Sequence, residues 1–203
     1  MLKEKLHSYR LILATTSPRR QYLMKEAGFE FELRIGSDIS EVYPAKMPAP
    51  EIPIYLAELK AASFEGRLKS NEIVITADTV VVLDGKVLGK PKEYYEAFDM
   101  LSSLSGRKHE VITGVCLKTM GLQTSFSAQS DVHFRQLLEQ EIHHYITEYK
   151  PFDKAGAYGV QEWIGYIAVE RIEGSFFNVM GLPIQKVYVE LGKFIDEIND
   201  HRK

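Results

Sequence analysis

Apolar and polar positions alternate with changing period along the chain, and the densest apolar run sets the frame. From Ile73 to Leu83 the residues are mostly β-branched, which reads as a buried strand. Asp78 interrupts that run. An unpaired carboxylate in a core is costly, so it must meet a metal, a cation or solvent. Asp84-Gly85 is a hairpin signal, and Lys86 to Gly89 forms the return segment before Lys90-Pro91. Such a hairpin lets an acid and a lysine approach one site. The plain alternative is a strand end with a solvated Asp and a surface Lys.

The remaining pattern predicts alternating strands and helices. Arg10–Ala14 reads as a short buried strand. A helix follows over Pro18–Ala27, with Ser17 as cap, Tyr22, Leu23 and Ala27 inward, and Gly28 as stop. Residues 29–35 suggest a weak strand, and 36–50 a polar loop whose acids, Asp38 and Glu41, read as solvated. A helix is expected from Ile52 to Lys69, in which Lys60 looks like an ordinary solvent-facing lysine. Glu93–Leu104 follows helical spacing, and His109–Lys118 alternates as a strand. Thr124–Arg135 is a more polar strand, expected at a sheet edge. Leu138, Ile142, Tyr145, Ile146 and Tyr149 define a helix closed by Pro151. Its adjacent His143 and His144 point different ways and make no metal pair. The stretch FDKAGAYGVQ (152–161) brings Gly156 and Gly159 into a polar loop, suited to close backbone approach. Ile164–Ile172 is expected as a strand, and Gly181-Leu182-Pro183 opens a final helix. This order implies a mixed α/β sheet covered by helices, one domain over 1–203 with a second lobe at about 106–172 and a cleft between lobes.

Composition narrows the picture. The 203 residues are 45% apolar and 26% charged, enough for a sizeable core. A formal net charge of −3 gives no bulk attraction to nucleic acid or membrane. Cys116 has no partner for an internal disulfide and reads as a small buried hydrophobe. The opening residues lack the apolar length of a signal peptide or a membrane span, so a cytoplasmic protein is expected.

The candidate chemistry is dispersed. No Walker A, dinucleotide fingerprint, zinc spacing or nucleophile elbow occurs. Arg19 and Arg20 occupy the first turn of a helix, the wrong sign for its dipole unless an anion binds there. With Glu41 and Asp78, lysines Lys60, Lys90 and Lys154, and Gln161, they form a set suited to a nucleoside polyphosphate. Acids suit a divalent cation, basic groups suit phosphate oxygens, and an amide suits a base edge.

Five blocks, in order, resemble those of the Maf family of nucleotide pyrophosphatases, first associated with septum formation. They are LILATTSPRRQYL, ADTVVVLDGKVLGKP, LSGRKHEVITGV, DKAGAYGVQ and GSFFNVMGLPI, spanning Leu11 to Ile184. The resemblance implies the Maf/inosine-triphosphatase-like α/β fold: an elongated mixed sheet flanked by helices, two lobes and a central cleft. It implies hydrolysis of a nucleoside triphosphate to monophosphate and pyrophosphate with Mg²⁺ or Mn²⁺, and a homodimer. By position, Asp78 matches the proton acceptor, with Glu41 beside it at the metal. Ser17, Arg19, Arg20, Lys60 and Lys90 match phosphate-contacting positions, and Lys60 and Lys90 are counted with the catalytic set.

Arg19, Thr79 and Gln161 agree with the members acting on dTTP and UTP. Members acting on 7-methyl-GTP tend to carry Trp, Gln and Glu at those positions. The alternatives are therefore the same reaction on another nucleotide, or a nucleotide-binding regulator of septum formation. This chain departs from the family pattern at Thr76, where Gly is common, and at Glu162-Trp163, which replace the usual Gly.

Overall fold

The computed structural model describes residues 2–37 and 39–201. Its elements begin with helix α1 (Leu2–Leu6), strand β1 (Arg10–Leu13), helix α2 (Pro18–Glu26), strand β2 (Phe31–Leu33) and helix α3 (Ile52–Ala62). The hairpin of β3 (Glu72–Leu83) and β4 (Lys86–Leu88) follows, then α4 (Tyr94–Leu104), β5 (Lys108–Lys118), β6 (Gln123–Phe134) and α5 (Glu139–Tyr149). After a 3-10 turn at Ala155–Ala157 come α6 (Trp163–Ala168), β7 (Val169–Glu173), α7 (Phe176–Met180) and α8 (Ile184–His201).

One mixed sheet has the order β2-β1-β3-β5-β6-β7, with β4 on β3. β1 runs parallel to both β2 and β3, with Leu13 level with Ile75. β4 returns antiparallel to β3, as Asp84-Gly85 predicts: both turn residues have positive φ, 50° and 74°. The chain divides into two compact units, Met1–Asp78 with Thr113–Ala128 and Gly181–Lys203, and Thr79–Ile112 with Gln129–Met180. In the first unit α8 buries Val187, Leu191, Phe194, Ile195 and Ile198, and ties to the amino-terminal segment through Lys5–Asp196 and Tyr9–Asn199. In the second, α4 and α5 pack together and bury Leu101, Leu104, Tyr145 and Ile146.

Several local expectations are corrected. β6 lies inside the sheet, between β5 and β7; its polarity reports one open face, not an edge. β5 is buried on both faces rather than alternating. Residues 164–168 are helical: Ile164 and Ala168 are buried at i, i+4 spacing. Gly165 lets that turn form, since a Cβ there would sit 1.8 Å from the Val160 carbonyl oxygen. Tyr22 and Ala27 face outward, and Met24 takes the inward place beside Leu23. α3 stops at Ala62 instead of reaching Lys69, and Leu138 is an exposed cap rather than a core residue. α1 has no counterpart in the predicted elements.

The first unit contains a half-buried ion pair with a pH signature. Glu72 opens β3 and is 1% exposed. Both of its oxygens accept bonds from Arg34, each 3.0 Å, and one accepts the Lys69 N–H. The Arg34 bonds, joined by the Lys69 backbone and opposed by burial, lower the Glu72 pKa from 4.5 to about 2. A carboxyl depressed in the folded state stabilises above its unfolded pKa and loses that contribution as pH falls through the folded value. The contribution, about 3 kcal/mol at neutral pH, fades between roughly pH 5 and pH 2. Glu72→Gln should therefore lower the urea midpoint clearly at pH 7 and by only about a quarter as much at pH 2.5. An equal deficit at both pH values rules out this linkage.

Candidate active site

Because β1 is parallel to β3, the loop leaving β1 reaches the part of β3 that carries Asp78. Ala14 N–H donates to the Ile75 carbonyl at 3.0 Å, three residues before Asp78. The loop turns into α2 with Pro18 at its start. Ser17 makes no side-chain cap; its N–H instead donates to the Thr15 hydroxyl at 3.1 Å. Arg19 and Arg20 stand half-buried in the first turn, which has no acidic residue. Arg20 Nε donates to the Gly181 carbonyl at 2.8 Å. Burial lowers the Arg20 pKa, and the charge of Asp78 opposes that most strongly, with smaller effects from Arg19 and Glu41. The guanidinium remains a cation at any working pH. Asp78, Arg19, Arg20 and Glu41 thus share one electrostatic neighbourhood.

Lys60 closes that neighbourhood. Its Nζ lies 2.6 Å from Asp78 Oδ1 and 3.0 Å from Glu41 Oε1, so one ammonium bridges two carboxylates from distant parts of the chain. Its place in the last turn of α3 suits a cation, since that is the negative end of the helix dipole. The solvent-facing reading of Lys60 is therefore corrected. Asp38, the other loop acid, lies outside the described residues. Among the described residues no group of three or more His, Cys, Asp or Glu gathers as a metal cage.

The second unit holds the other expected residues. Thr79 is half-buried and follows Asp78 in β3; successive strand residues project to opposite faces. Lys90 is exposed just past β4. The neighbouring Gly89 carbonyl accepts the Gly156 N–H at 3.0 Å, which brings the Lys90 segment against the 152–161 loop. Within that loop Lys154 is buried, with Asp153 at 2.6 Å and Glu162 at 3.1 Å. Glu162 also accepts from the Tyr145 hydroxyl, which in turn accepts the Gly159 N–H at 3.1 Å. A Cβ at Gly159 would lie 2.8 Å from Gln161 Nε2, so glycine lets that amide fold back over the loop. Gln161 Oε1 is buried with no hydrogen-bond partner among the described residues. Such an orphaned acceptor is uncommon and is consistent with a donor arriving from outside the chain.

Of the Tyr145–Glu162–Lys154 network the sequence singles out only the departure at Glu162 and Lys154, the latter for phosphate; the structure instead buries Lys154 and pairs it with Asp153 and Glu162. The bond from the Thr76 hydroxyl to the Ala57 carbonyl, 2.6 Å long and buried, has no counterpart in the sequence reading. His109, buried in β5 against Tyr158 and Phe134, is a packing residue: burial lowers its pKa to about 4 and keeps it neutral.

The Maf family model, described as Maf-like protein, matches residues 10–194. A dTTP/UTP pyrophosphatase of Bacteroides thetaiotaomicron is 54% identical over 188 residues, covering 93% of this chain and 97% of that protein. One from Phocaeicola vulgatus is 52% identical over 190 residues, covering 94% and 98%. Another, from Flavobacterium johnsoniae, is 53% identical over 188 residues, covering 93% and 96%. With nearly its whole length matched both by the family and by these relatives, the chain belongs to the Maf family.

Proposed function

We propose that the protein is a nucleoside triphosphate pyrophosphatase that hydrolyses dTTP and UTP to the monophosphate and pyrophosphate. The observation that carries this reading is the Lys60 bridge between Asp78 and Glu41, within reach of the Arg20 charge. Hydrolysis of a phosphoanhydride needs an aligned water, a base and neutralised phosphate charge. Asp78 is assigned as the base. The water oxygen bonds to the α-phosphorus, its proton passes to Asp78, and the bond to the bridging oxygen breaks to release pyrophosphate. Ser17, Arg19, Arg20, Lys60 and Lys90 are assigned to the phosphates.

Two carboxylates facing one cation also fit Mg²⁺ or Mn²⁺, which take one or two protein carboxylates and leave the rest to water and phosphate. Asp78 and Glu41 would hold that ion. Bound there, it would neutralise phosphate oxygens and lower the pKa of water. The nucleotide's phosphates offer the Lys60 ammonium another anionic partner.

Pyrimidine choice is assigned to Gln161, with Thr79 and Arg19. The imide N3–H of uracil or thymine is the donor that the unpartnered Gln161 Oε1 lacks; cytosine presents an acceptor at that position. Gln161→Leu should lower kcat/KM for UTP roughly ten- to hundredfold. It should also shrink the preference for UTP over CTP. An unchanged ratio removes Gln161 from base selection.

The test of the activity is a panel of dTTP, UTP, CTP, GTP and 7-methyl-GTP, read by pyrophosphate release with and without EDTA. Release from dTTP and UTP that EDTA abolishes is the expected result. Preferential turnover of 7-methyl-GTP would overturn the substrate assignment, and tight binding without product would overturn the enzyme. We also read the protein as a cytoplasmic homodimer. Among the described residues no helix is long and apolar enough to cross a membrane, and light scattering reads the dimer directly.

A further inference from the structure

α3 lies unusually close to the sheet. Gly114 on β5 meets its first turn so tightly that a Cβ there would stand 2.3 Å from Pro53 and Ile54 backbone atoms. Farther along the helix, Ala57 and Ala61 pack on Cys116, all fully buried. Burial pushes the Cys116 thiol up to about 11, so it packs as a neutral group. Gly, Ala and Cys present small, smooth surfaces. They let backbones approach, yet they have no knobs to fix a helix along or around its axis.

A directional contact is present at the next position. Thr76, 1% exposed, donates its hydroxyl to the Ala57 carbonyl at 2.6 Å. Two residues on, the same face of β3 carries Asp78. Three residues on, a neighbouring position of α3 carries Lys60. The Thr76–Ala57 and Lys60–Asp78 contacts are therefore successive rungs between one strand and one helix. The first rung is backbone-anchored, short and dry; the second uses a long flexible ammonium.

From this ladder we infer that Thr76 is a positioning residue. Its hydroxyl sets the register of α3 on β3, and that register delivers Lys60 to Asp78. The inference rests on the proposed pyrophosphatase reading, in which the Lys60–Asp78 pair serves the reaction. It concerns this chain's own residues, since the bond is made by the Thr76 side chain itself. The Ala57 carbonyl keeps its intrahelical donor if the hydroxyl is removed, so loss of the rung leaves no buried acceptor unpaired.

The test compares Thr76→Val, which keeps shape and removes the hydroxyl, with Thr76→Ser, which restores it. Steady-state kinetics on UTP and thermal melts are measured for both, beside Asp78→Asn. In Thr76→Val, kcat should fall about five- to twentyfold with KM within twofold and the melting temperature nearly unchanged; Thr76→Ser should recover kcat to within about threefold of the parent. Full kcat in Thr76→Val, or equal losses in the Val and Ser variants, overturns the inference. A Thr76→Val loss that tracks a fall in melting temperature also overturns it, because simple packing then accounts for the effect. An inactive Asp78→Asn beside a fully active Thr76→Val removes the inference alone. An active Asp78→Asn removes the assigned base and the inference with it.

Discussion

Asp78→Asn should lower kcat for UTP hydrolysis by about a thousandfold, with the protein still folded. The size follows from what the substitution removes. A positioned general base contributes roughly 10²- to 10⁴-fold. Asn keeps the size and much of the hydrogen-bonding shape of Asp but cannot take a proton from water. Lys60 retains Glu41 at 3.0 Å, so the ammonium is not left without a counter-charge. The fold should therefore survive with a melting temperature within a few degrees of the parent. Single-turnover pyrophosphate release separates this from a binding defect, since UTP affinity should change far less than the rate. Undiminished turnover in Asp78→Asn would falsify the assignment of the base, and a tenfold loss would demote Asp78 to an electrostatic role.

The second large effect is structural. Gly114→Ala should destabilise the protein by about 3 kcal/mol, lowering its melting temperature by roughly 6–12 °C. The added methyl would meet three backbone atoms of Pro53 and Ile54 at 2.3 Å, and no side-chain rotation relieves a backbone clash. Gly114 does not have positive φ, so its conformation is open to any residue and only space forbids one. The folded fraction should also lose activity, because the displaced helix carries Lys60. Gly28→Ala is a useful contrast: it meets nothing within 4 Å, but its φ of 77° strains any side chain. A Gly114→Ala protein as stable as the parent would show that α3 can lift from β5 at little cost.

Much of the arrangement can be read from the chain because local chemistry and tertiary role coincide. The β-branched run around Asp78 is a buried strand wherever it is placed, and Asp84-Gly85 closes its hairpin without help. Arg19 and Arg20 draw notice because their charge is wrong for a helix start, and the structure sets Arg20 among the charges of Asp78, Arg19 and Glu41. Lys60 is different. A lysine near the end of an amphipathic helix looks the same whether it meets water or a carboxylate 18 residues on. Only the register of α3 on β3 decides, and that depends on a threonine and a glycine whose neighbours lie far away in the chain. β6 misleads for another reason: polarity along a strand reports what covers its faces, whereas sheet order is set by the hydrogen-bond ladders on its edges. The 164–168 segment fails because five residues are too few for period 2 and period 3.6 to separate.

The bond from Arg20 to the Gly181 carbonyl has a bearing on how this protein can be engineered. Gly181 stands just ahead of α8, so a guanidinium near the amino terminus is braced by the last stretch of backbone before the closing helix. Shortened versions that stop before Gly181 would strip away that brace together with the apolar face of α8. Peptide fusions are better appended beyond that helix than substituted for it.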